Sequence, residues 1–242
     1  MFGPDHLAAL ACVVGISALV IGRGKALSPA VRAGVRIAFI LFLSGYAVSY
    51  YALAVQARGW NWASSLPLSL CDWVLIACLV ALARRDGTAF EIAYFWGFAG
   101  TLQGMLTPDL RTGFPTFRYF HFFWGHGGIL LALVWMIAAE GLHPRRGGIW
   151  RAFLGANVYL VVVGALNGLF GWNYGYICRP PAQFSLLRYM GPWPWYLVTA
   201  EIVALLSFWL LDLPWKIARR RAGKRSGDER ESLPGNTPLA PL

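Results

Sequence analysis

Charged residues are scarce in this sequence: only 13% of its 242 positions are Asp, Glu, Lys or Arg. A soluble domain of this length carries about 25%. Hydrophobic residues make up 57% of the chain, and the mean hydropathy is +0.52. Short segments of alternating polar and apolar residues, typical of a membrane β-barrel, are also lacking. The composition therefore predicts an all-α membrane protein.

Cysteine is sparse as well, and the four are Cys12, Cys71, Cys78 and Cys178. None forms a CxxC pair or has a Cys/His spacing typical of a metal site. No pair of ligands has the four-residue spacing of a helical metal motif, so we predict no metal and no cofactor. A site built from Asp, Glu and His remains an alternative. A disulfide between Cys71 and Cys178 also remains open, since Cys178 falls in a predicted outer loop.

Long apolar runs dominate what is present. A run of ~18 or more residues with few charges predicts a transmembrane helix. We count seven such blocks: Leu7–Gly22, Val35–Ala57, Leu66–Ala83, Phe90–Leu106, Phe117–Ala139, Ala152–Gly171 and Trp193–Trp215. The first and fourth are near the lower length limit for a span. The sequence thus predicts a polytopic bundle of seven transmembrane helices.

The basic residues are distributed unevenly between the loops. Of the 21 Lys and Arg, 16 follow blocks one, three, five and seven, and 5 lie in the other loops. Cytoplasmic loops carry such an excess of Lys and Arg. The distribution predicts an N-terminus outside and a C-terminus in the cytoplasm. It also accounts for the net charge of +10 without a nucleic-acid partner.

The chain divides into two parts by composition. Residues 1–215 form the predicted seven-helix transmembrane domain, and residues 216–242 form a cytoplasmic tail. The tail begins with a polybasic stretch, Lys216–Arg225, which we interpret as a stop-transfer and orientation signal lying on anionic headgroups. Residues from Ser226 to Leu242 are rich in Pro, Gly and polar side chains and are predicted to be disordered.

Polar residues inside the apolar blocks concentrate near the predicted outer end. Cys71 and Asp72 lie about 8–9 Å below the outer end of block three, and His126 lies in the outer half of block five. The same end holds Gln103, Asp109, Asn167, Asn173, Tyr174 and Glu201. The inner halves of the blocks are nearly free of such groups. Polar groups within spans usually face the bundle interior, so this distribution predicts one cavity open toward the outer leaflet.

A thiol and an imidazole in one cavity are the parts of covalent catalysis. The Cys71 thiolate would attack an ester carbonyl, with His126 as the base that takes its proton. Supporting roles would fall to Asp72 or Asp109, which could orient the imidazole, and to Asn173 or Tyr174, which could donate to the oxyanion. Exclusion of water would favour transfer of the acyl group to a lysolipid over hydrolysis.

Structural explanations compete with this interpretation for each residue. A buried cysteine usually acts as a small hydrophobic residue, and we interpret Cys12 and Cys78 in that way. His126 could hydrogen-bond between helices, and the asparagines could do the same. Two other functions stay open: a non-catalytic lipid-binding or transport protein, and a lipid ester hydrolase with the same Cys/His pair. The sequence makes no prediction of oligomeric state.

Several motifs together resemble a known family. They are Leu66-Pro67-Leu68-Ser69-Leu70-Cys71-Asp72, the segment from Tyr94-Phe95-Trp96-Gly97 to Thr107-Pro108-Asp109-Leu110, Phe122-Phe123-Trp124-Gly125-His126-Gly127, Asn173-Tyr174-Gly175-Tyr176 and Gly191-Pro192-Trp193-Pro194-Trp195-Tyr196. These resemble the bacterial YwaF-type membrane proteins and the eukaryotic transmembrane protein 164 group, over the range Leu66 to Pro214.

The resemblance implies a specific activity. The eukaryotic group is described as a CoA-independent acyltransferase that moves a fatty acyl chain between phospholipids through an acyl-cysteine. Carried over, Cys71 would be the nucleophile and His126 the base, with phospholipid and lysophospholipid as substrates. The resemblance also implies a multi-pass protein of the bacterial cytoplasmic membrane. Arg179-Pro180-Pro181 departs from the Lys-Pro pattern of the family, so the contact with the headgroup does not carry over.

Overall fold

The computed structural model describes residues 3–108, 110, 113–181 and 186–231. Within these ranges the regular structure is helical, without strands, which confirms the all-α class. The helices are α1 (Pro4–Arg23), α2 (Pro29–Arg58), α3 (Trp62–Ser65), α4 (Leu70–Arg84), α5 (Gly87–Trp96), α6 (Leu102–Leu106), α7 (Phe117–Ala138), α8 (Gly148–Phe170) and α9 (Trp195–Glu231).

A π-helical segment, Gly97–Thr101, joins α5 to α6 without a break. We call the continuous helix Gly87–Leu106 the central rod. Short 3₁₀ turns occur at Gly24–Ala26, Tyr174–Tyr176 and Leu186–Tyr189. Each of the seven predicted apolar blocks coincides with one of α1, α2, α4, the rod, α7, α8 and α9.

Five helices in the described part of the chain are long and apolar enough to cross a membrane: α1, α2, α7, α8 and the first part of α9. Many of their apolar side chains face outward, as shown by Val14 (68% exposed), Leu41 (66%) and Val161 (69%). Contiguous apolar surface of this kind is unfavourable in water and favourable in lipid. The chain is therefore a multi-pass integral membrane protein.

The bundle has two chemically different ends. At the first, α4, α7 and α9 begin and the rod and α8 end; we call it the aromatic end, because Trp60, Trp62 and Trp193 are exposed there. At the opposite end, which we call the basic end, an Arg32 guanidinium nitrogen donates to the carbonyl oxygen of Ala139 at 3.0 Å. The polar residues singled out from the sequence and present in the described ranges lie on the helices and loops of the aromatic half.

Glycines let α4 and α7 approach the central rod closely. A Cβ atom on Gly97 would contact both Val74 of α4 and Leu133 of α7, and one on Gly100 would contact Leu70. Residue numbers on α4 fall as those on the rod rise, so the two helices are antiparallel. The same holds for α7 and the rod. Consequently α4 and α7 run parallel on neighbouring faces of the rod.

The basic end contains buried carboxylates, contrary to the prediction that the inner halves are nearly free of them. Glu91 is 0% exposed, and its oxygens accept hydrogen bonds from Arg145 at 2.9 and 3.1 Å and from Arg151 at 2.6 and 2.9 Å. Asp212 is 5% exposed and pairs with Arg219 at 2.9 Å. Glu91 lies near the start of α5, where Arg145 reaches it from the loop before α8 and Arg151 from the first turn of α8. Asp212 and its partner Arg219 both lie on α9. In each case the pairing offsets the cost of burial.

Replacing Glu91 with glutamine is expected to destabilise the fold by about 3 kcal/mol. The value is at the low end for breaking a buried ion pair, because Arg145 and Arg151 remain 52% and 37% exposed and regain solvent. Thermal unfolding in detergent would measure the loss. Asp86→Asn is the matched control: it removes an exposed charge at the same end and keeps the N-cap of α5. An equal melting temperature for Glu91→Gln would contradict the account.

The last helix continues beyond the predicted end of the transmembrane domain. α9 runs through Trp215 and the polybasic stretch to Glu231. The helix thus includes residues 226–231, the first part of the segment for which composition predicted disorder. Helix-favouring Arg, Lys, Ala and Glu residues are frequent beyond Trp215, and a helix already formed propagates easily into such a sequence. Residues 232–242 of the predicted tail lie outside the described ranges.

Candidate functional site

Cys71 occupies the second position of α4, at the aromatic end. Ser69 is the N-cap, and the carboxylate of Asp72 accepts a hydrogen bond from the Ser69 backbone N–H at 3.0 Å, which completes a capping box. Cys71 is partly exposed as a residue, and its thiol forms no disulfide. The first turn of a helix carries backbone N–H groups without intrahelical partners, and these favour negative charge near the thiol.

Asp72 therefore stabilises the N-terminus of the helix that carries Cys71. The sequence suggested that Asp72 could orient His126, but in the structure a carbonyl takes that place. His126 Nδ1 lies 3.0 Å from the carbonyl oxygen of Phe122, and the imidazole stacks on the Phe122 ring at 4.1 Å. Because a carbonyl oxygen only accepts, Nδ1 carries the proton. Nε2 then presents its lone pair, as a general base requires.

His126 lies against the central rod, and so does Leu70, the residue before Cys71. A Cβ atom on Gly104 would lie 3.6 Å from His126 Cδ2 and 3.8 Å from Nε2, while Gly100 faces Leu70, the residue before Cys71. Gly100 and Gly104 are one turn apart on one face, a rise of about 6 Å. The structure thus brings Cys71 and His126 to neighbouring helices at the aromatic end, with His126 about one turn nearer the tip of that end.

Two tyrosines that sequence reasoning missed lie near the thiol. The phenols of Tyr46 and Tyr159 are both within electrostatic range of Cys71. The Tyr159 hydroxyl donates to the carbonyl oxygen of Leu68 at 3.0 Å and so supports the segment before α4. Tyrosine is common at membrane interfaces, so sequence gave no reason to single out either residue.

Tyr46 differs from Tyr159 because its hydroxyl makes no hydrogen bond with the described residues. Its ring stacks on His121 at 4.5 Å. Any side chain at position 125 would overlap the Tyr46 ring, so Gly125 allows the phenol to reach the backbone of α7 beside His126. The nearby His121 binds Ser49 Oγ through Nε2 at 3.1 Å and belongs to the contact between α2 and α7.

The predicted oxyanion donors have other partners. The Asn167 side chain is buried and forms two hydrogen bonds of 2.9 Å with the backbone of Tyr174. The Tyr174 hydroxyl donates to the carbonyl oxygen of Trp62 at 2.6 Å and accepts from the N–H of Leu66 at 2.9 Å. Asn173 accepts from two backbone N–H groups of its own loop. These residues hold the loops around Cys71.

Two of the remaining candidates lie on the rod and on α9. Gln103 Nε2 donates to Thr107 Oγ1 at 3.3 Å on the rod. Glu201 is partly buried on α9 and makes no hydrogen bond or ion pair with the described residues. Asp109 lies outside the described ranges. Among the residues described, no group of three His, Cys, Asp or Glu side chains is placed to hold a metal ion.

A cavity of about 400 Å³ lies between the rod, α8 and α9. Its lining is mostly apolar. It includes Leu70, which precedes Cys71 in the sequence, and Gly104, which contacts His126. Cys71 and His126 themselves are not among its lining residues. The rod contributes Trp96, Ala99, Gly100 and Gln103, and α9 contributes Ala200, Val203, Ala204, Ser207 and Phe208.

Comparison with known proteins identifies the family. A family model described as the TMEM164 family matches residues 1–212, which include every predicted site residue. The resemblance found from the sequence motifs is thereby confirmed, and the match extends it to the N-terminal helices. No curated protein and no solved structure gave a match. The chain belongs to the TMEM164 family.

Proposed function

We propose that this protein is a membrane-embedded phospholipid acyltransferase that works without CoA through an acyl group on Cys71. One observation supports the proposal most directly. Cys71 at the N-terminus of α4 and His126, whose Nε2 bonds to none of the described residues, lie on parallel helices. Leu70, which precedes Cys71, and His126 itself contact glycines one turn apart on the rod. Family membership is consistent with it. Substrates are a donor phospholipid and an acceptor lysophospholipid in the outer leaflet.

The first half of the reaction transfers the acyl chain to the enzyme. His126 Nε2 takes the proton of the Cys71 thiol, and sulfur attacks the ester carbonyl of the donor lipid. A tetrahedral oxyanion forms, its carbon–oxygen ester bond breaks, and the leaving alkoxide takes the proton from His126. The products of this half are a lysophospholipid and an acyl thioester on Cys71.

The second half reverses these steps with a different lipid. The hydroxyl of the acceptor lysophospholipid gives its proton to His126 Nε2 and attacks the thioester carbonyl. The carbon–sulfur bond breaks, and Cys71 recovers the proton from His126. One ester is exchanged for another of similar energy, so the reaction balances without a co-substrate such as CoA. Apolar helices around the site would limit competition by water.

Tyr46→Phe is expected to lower the transfer rate about 10²–10³-fold with little loss of stability. The phenol is the donor near Cys71 with no competing hydrogen bond among the described residues, so it is the best-placed side chain to stabilise the oxyanion. Initial rates in detergent–lipid micelles would measure the effect. Tyr94→Phe, which removes a hydroxyl bonded to the Leu211 carbonyl toward the basic end, is the control. An unchanged rate for Tyr46→Phe would remove it from the mechanism.

We also infer seven membrane spans, with the N-terminus outside and the C-terminus in the cytoplasm. The unequal distribution of Lys and Arg supports this orientation. The coincidence of each apolar block with a helix supports the number of spans. In a bacterial cytoplasmic membrane the site would then face the outer leaflet. Protease treatment of intact spheroplasts should remove an N-terminal tag and spare a C-terminal tag. Loss of the C-terminal tag would refute this orientation.

Turnover by the purified protein tests the proposed function. The protein is incubated with a phospholipid labelled in one acyl chain and an unlabelled lysophospholipid, and the lipids are separated. Label in the acceptor supports acyl transfer. Label released as free fatty acid would identify a lipid ester hydrolase instead. No product with a folded protein would favour lipid binding or transport without catalysis.

A further inference from the structure

The cavity beside the rod is elongated along two helices. Along α9 its lining extends from Ala200 to Phe208, and along the rod from Thr107 to Trp96. At 1.5 Å per residue these stretches measure about 12 and 16 Å. The lining is therefore long enough along both helices to accommodate an extended hydrocarbon chain.

The polar side chains that the rod, Thr107 and α9 contribute to this cavity take part in hydrogen bonds. Gln103 and Thr107 bond to each other near the aromatic end. Deeper in the cavity, Ser207 Oγ donates to the carbonyl oxygen of Val203 at 2.7 Å. The indole N–H of Trp96 donates to the carbonyl oxygen of Ala152 at 3.0 Å. The interior therefore offers apolar surface without open hydrogen-bonding groups.

The cavity reaches the edge of the candidate catalytic pair. Leu70, which lines it, immediately precedes Cys71 in α4. Gly104, which also lines it, lies against the imidazole of His126. A chain whose carbonyl carbon sat between Cys71 and His126 could therefore pass Leu70 and Gly104 and continue along α9. An extended acyl chain is therefore a ligand that suits an elongated, mostly apolar cavity next to Leu70 and Gly104.

We propose that this cavity binds one phospholipid acyl chain and that its depth sets which chain lengths the protein prefers. The proposal rests on the proposed function for its link to Cys71. The rod forms one wall, and the small side chains Ala200 and Ala204 on α9 form the facing wall. The alanines leave the space that the chain occupies, so a larger side chain at position 204 would close the inner part.

The first test requires no turnover. Cys71→Ala protein in lipid nanodiscs is supplied with a phosphatidylcholine that carries a photoactivatable diazirine near the end of one acyl chain. After irradiation, peptide mapping should find label on α9 residues that line the cavity, and Ala204→Leu should reduce it about tenfold. Label of equal intensity on α1, which faces lipid, would overturn the proposal.

The second test uses activity. Phosphatidylcholines whose acyl chains lengthen by two carbons at a time compete as donors. Ala204→Leu should lower the use of the longest chains relative to the shortest about tenfold, since one or a few methylenes in an apolar pocket carry such discrimination. Ala11→Leu, the same change at an exposed position of α1, should leave the profile unchanged. An unshifted profile in an active Ala204→Leu variant would overturn the proposal.

The two tests separate this proposal from the proposed function. Cavity labelling in a protein that transfers no acyl group would support the pocket and refute the catalytic role of Cys71. Active transfer without cavity labelling would do the reverse. The mutated position contacts neither Cys71 nor His126 through any interaction described here, so a changed chain profile would reflect the pocket.

Discussion

Replacing Cys71 with alanine is expected to abolish acyl transfer while the protein stays folded. The proposed reaction requires sulfur as the nucleophile, and alanine offers none. Loss of a covalent nucleophile costs at least ~10³-fold in rate. Stability should change little, because alanine favours helix and the Ser69–Asp72 capping box does not involve the thiol. Transfer of label from phospholipid to lysophospholipid would measure the effect.

Cys78→Ala provides a matched control on the same helix. Cys78 is fully buried in the core, two turns beyond Cys71 and on nearly the same face of α4. Its loss leaves a small cavity that costs about 1 kcal/mol, but transfer should remain. Cys71→Ser adds a second comparison, because a non-catalytic lipid-binding role would tolerate serine. Normal transfer by folded Cys71→Ala would refute the acyl-cysteine mechanism.

Replacing His126 with alanine is expected to lower the transfer rate about 10²–10⁴-fold, the range for loss of a general base. The imidazole donates to the Phe122 carbonyl through Nδ1, so only Nε2 is free to move the proton between sulfur and lipid oxygen. That carbonyl also lies within a helix, so the loss of the side chain leaves the backbone of α7 intact. Initial rates would be compared with those of His143→Ala, an exposed histidine at the basic end.

Chemical rescue would separate a catalytic from a structural role of His126. Truncation to alanine leaves a space beside Gly104 that is the size of the lost ring. Added imidazole should restore part of the rate in His126→Ala and should have no effect on Cys71→Ala. A wild-type rate for His126→Ala would contradict its role as the base. A slow variant whose melting temperature falls in step with its rate would contradict it as well, because the lost rate would then reflect lost structure.

Hydropathy predicted where helices form, because burying apolar side chains in lipid requires long helices with internally bonded backbones. The blocks Phe117–Ala139 and Ala152–Gly171 match α7 and α8 to within a few residues. Finer features depended on packing. The π segment Gly97–Thr101 lies where the rod contacts both α4 and α7, a contact between residues distant in sequence. α9 extends beyond Trp215 because many residues there favour helix, although the composition of the segment from Ser226 onward predicted disorder.

The site was only partly predictable for a related reason. Residue types indicated that Cys71 and His126 share one end of the bundle, and the structure places them on neighbouring helices. The same types also include residues that support loops: Asn167 and Tyr174 bond to backbone groups, and one partner, Trp62, is over a hundred residues away. Polarity alone cannot separate the two roles. Tyr46 was not predicted, because its position near Cys71 depends on the packing of its ring against Gly125.

The central claim is that an acyl group is carried on Cys71, and intact-mass spectrometry tests it directly. The purified protein is incubated with phospholipid and no acceptor, quenched in acid and weighed before and after hydroxylamine. The account predicts added mass equal to one acyl group, mapped to the Cys71 peptide and removed by hydroxylamine, which cleaves thioesters. Active protein without such an adduct, or with one that persists in Cys71→Ala, would contradict the account.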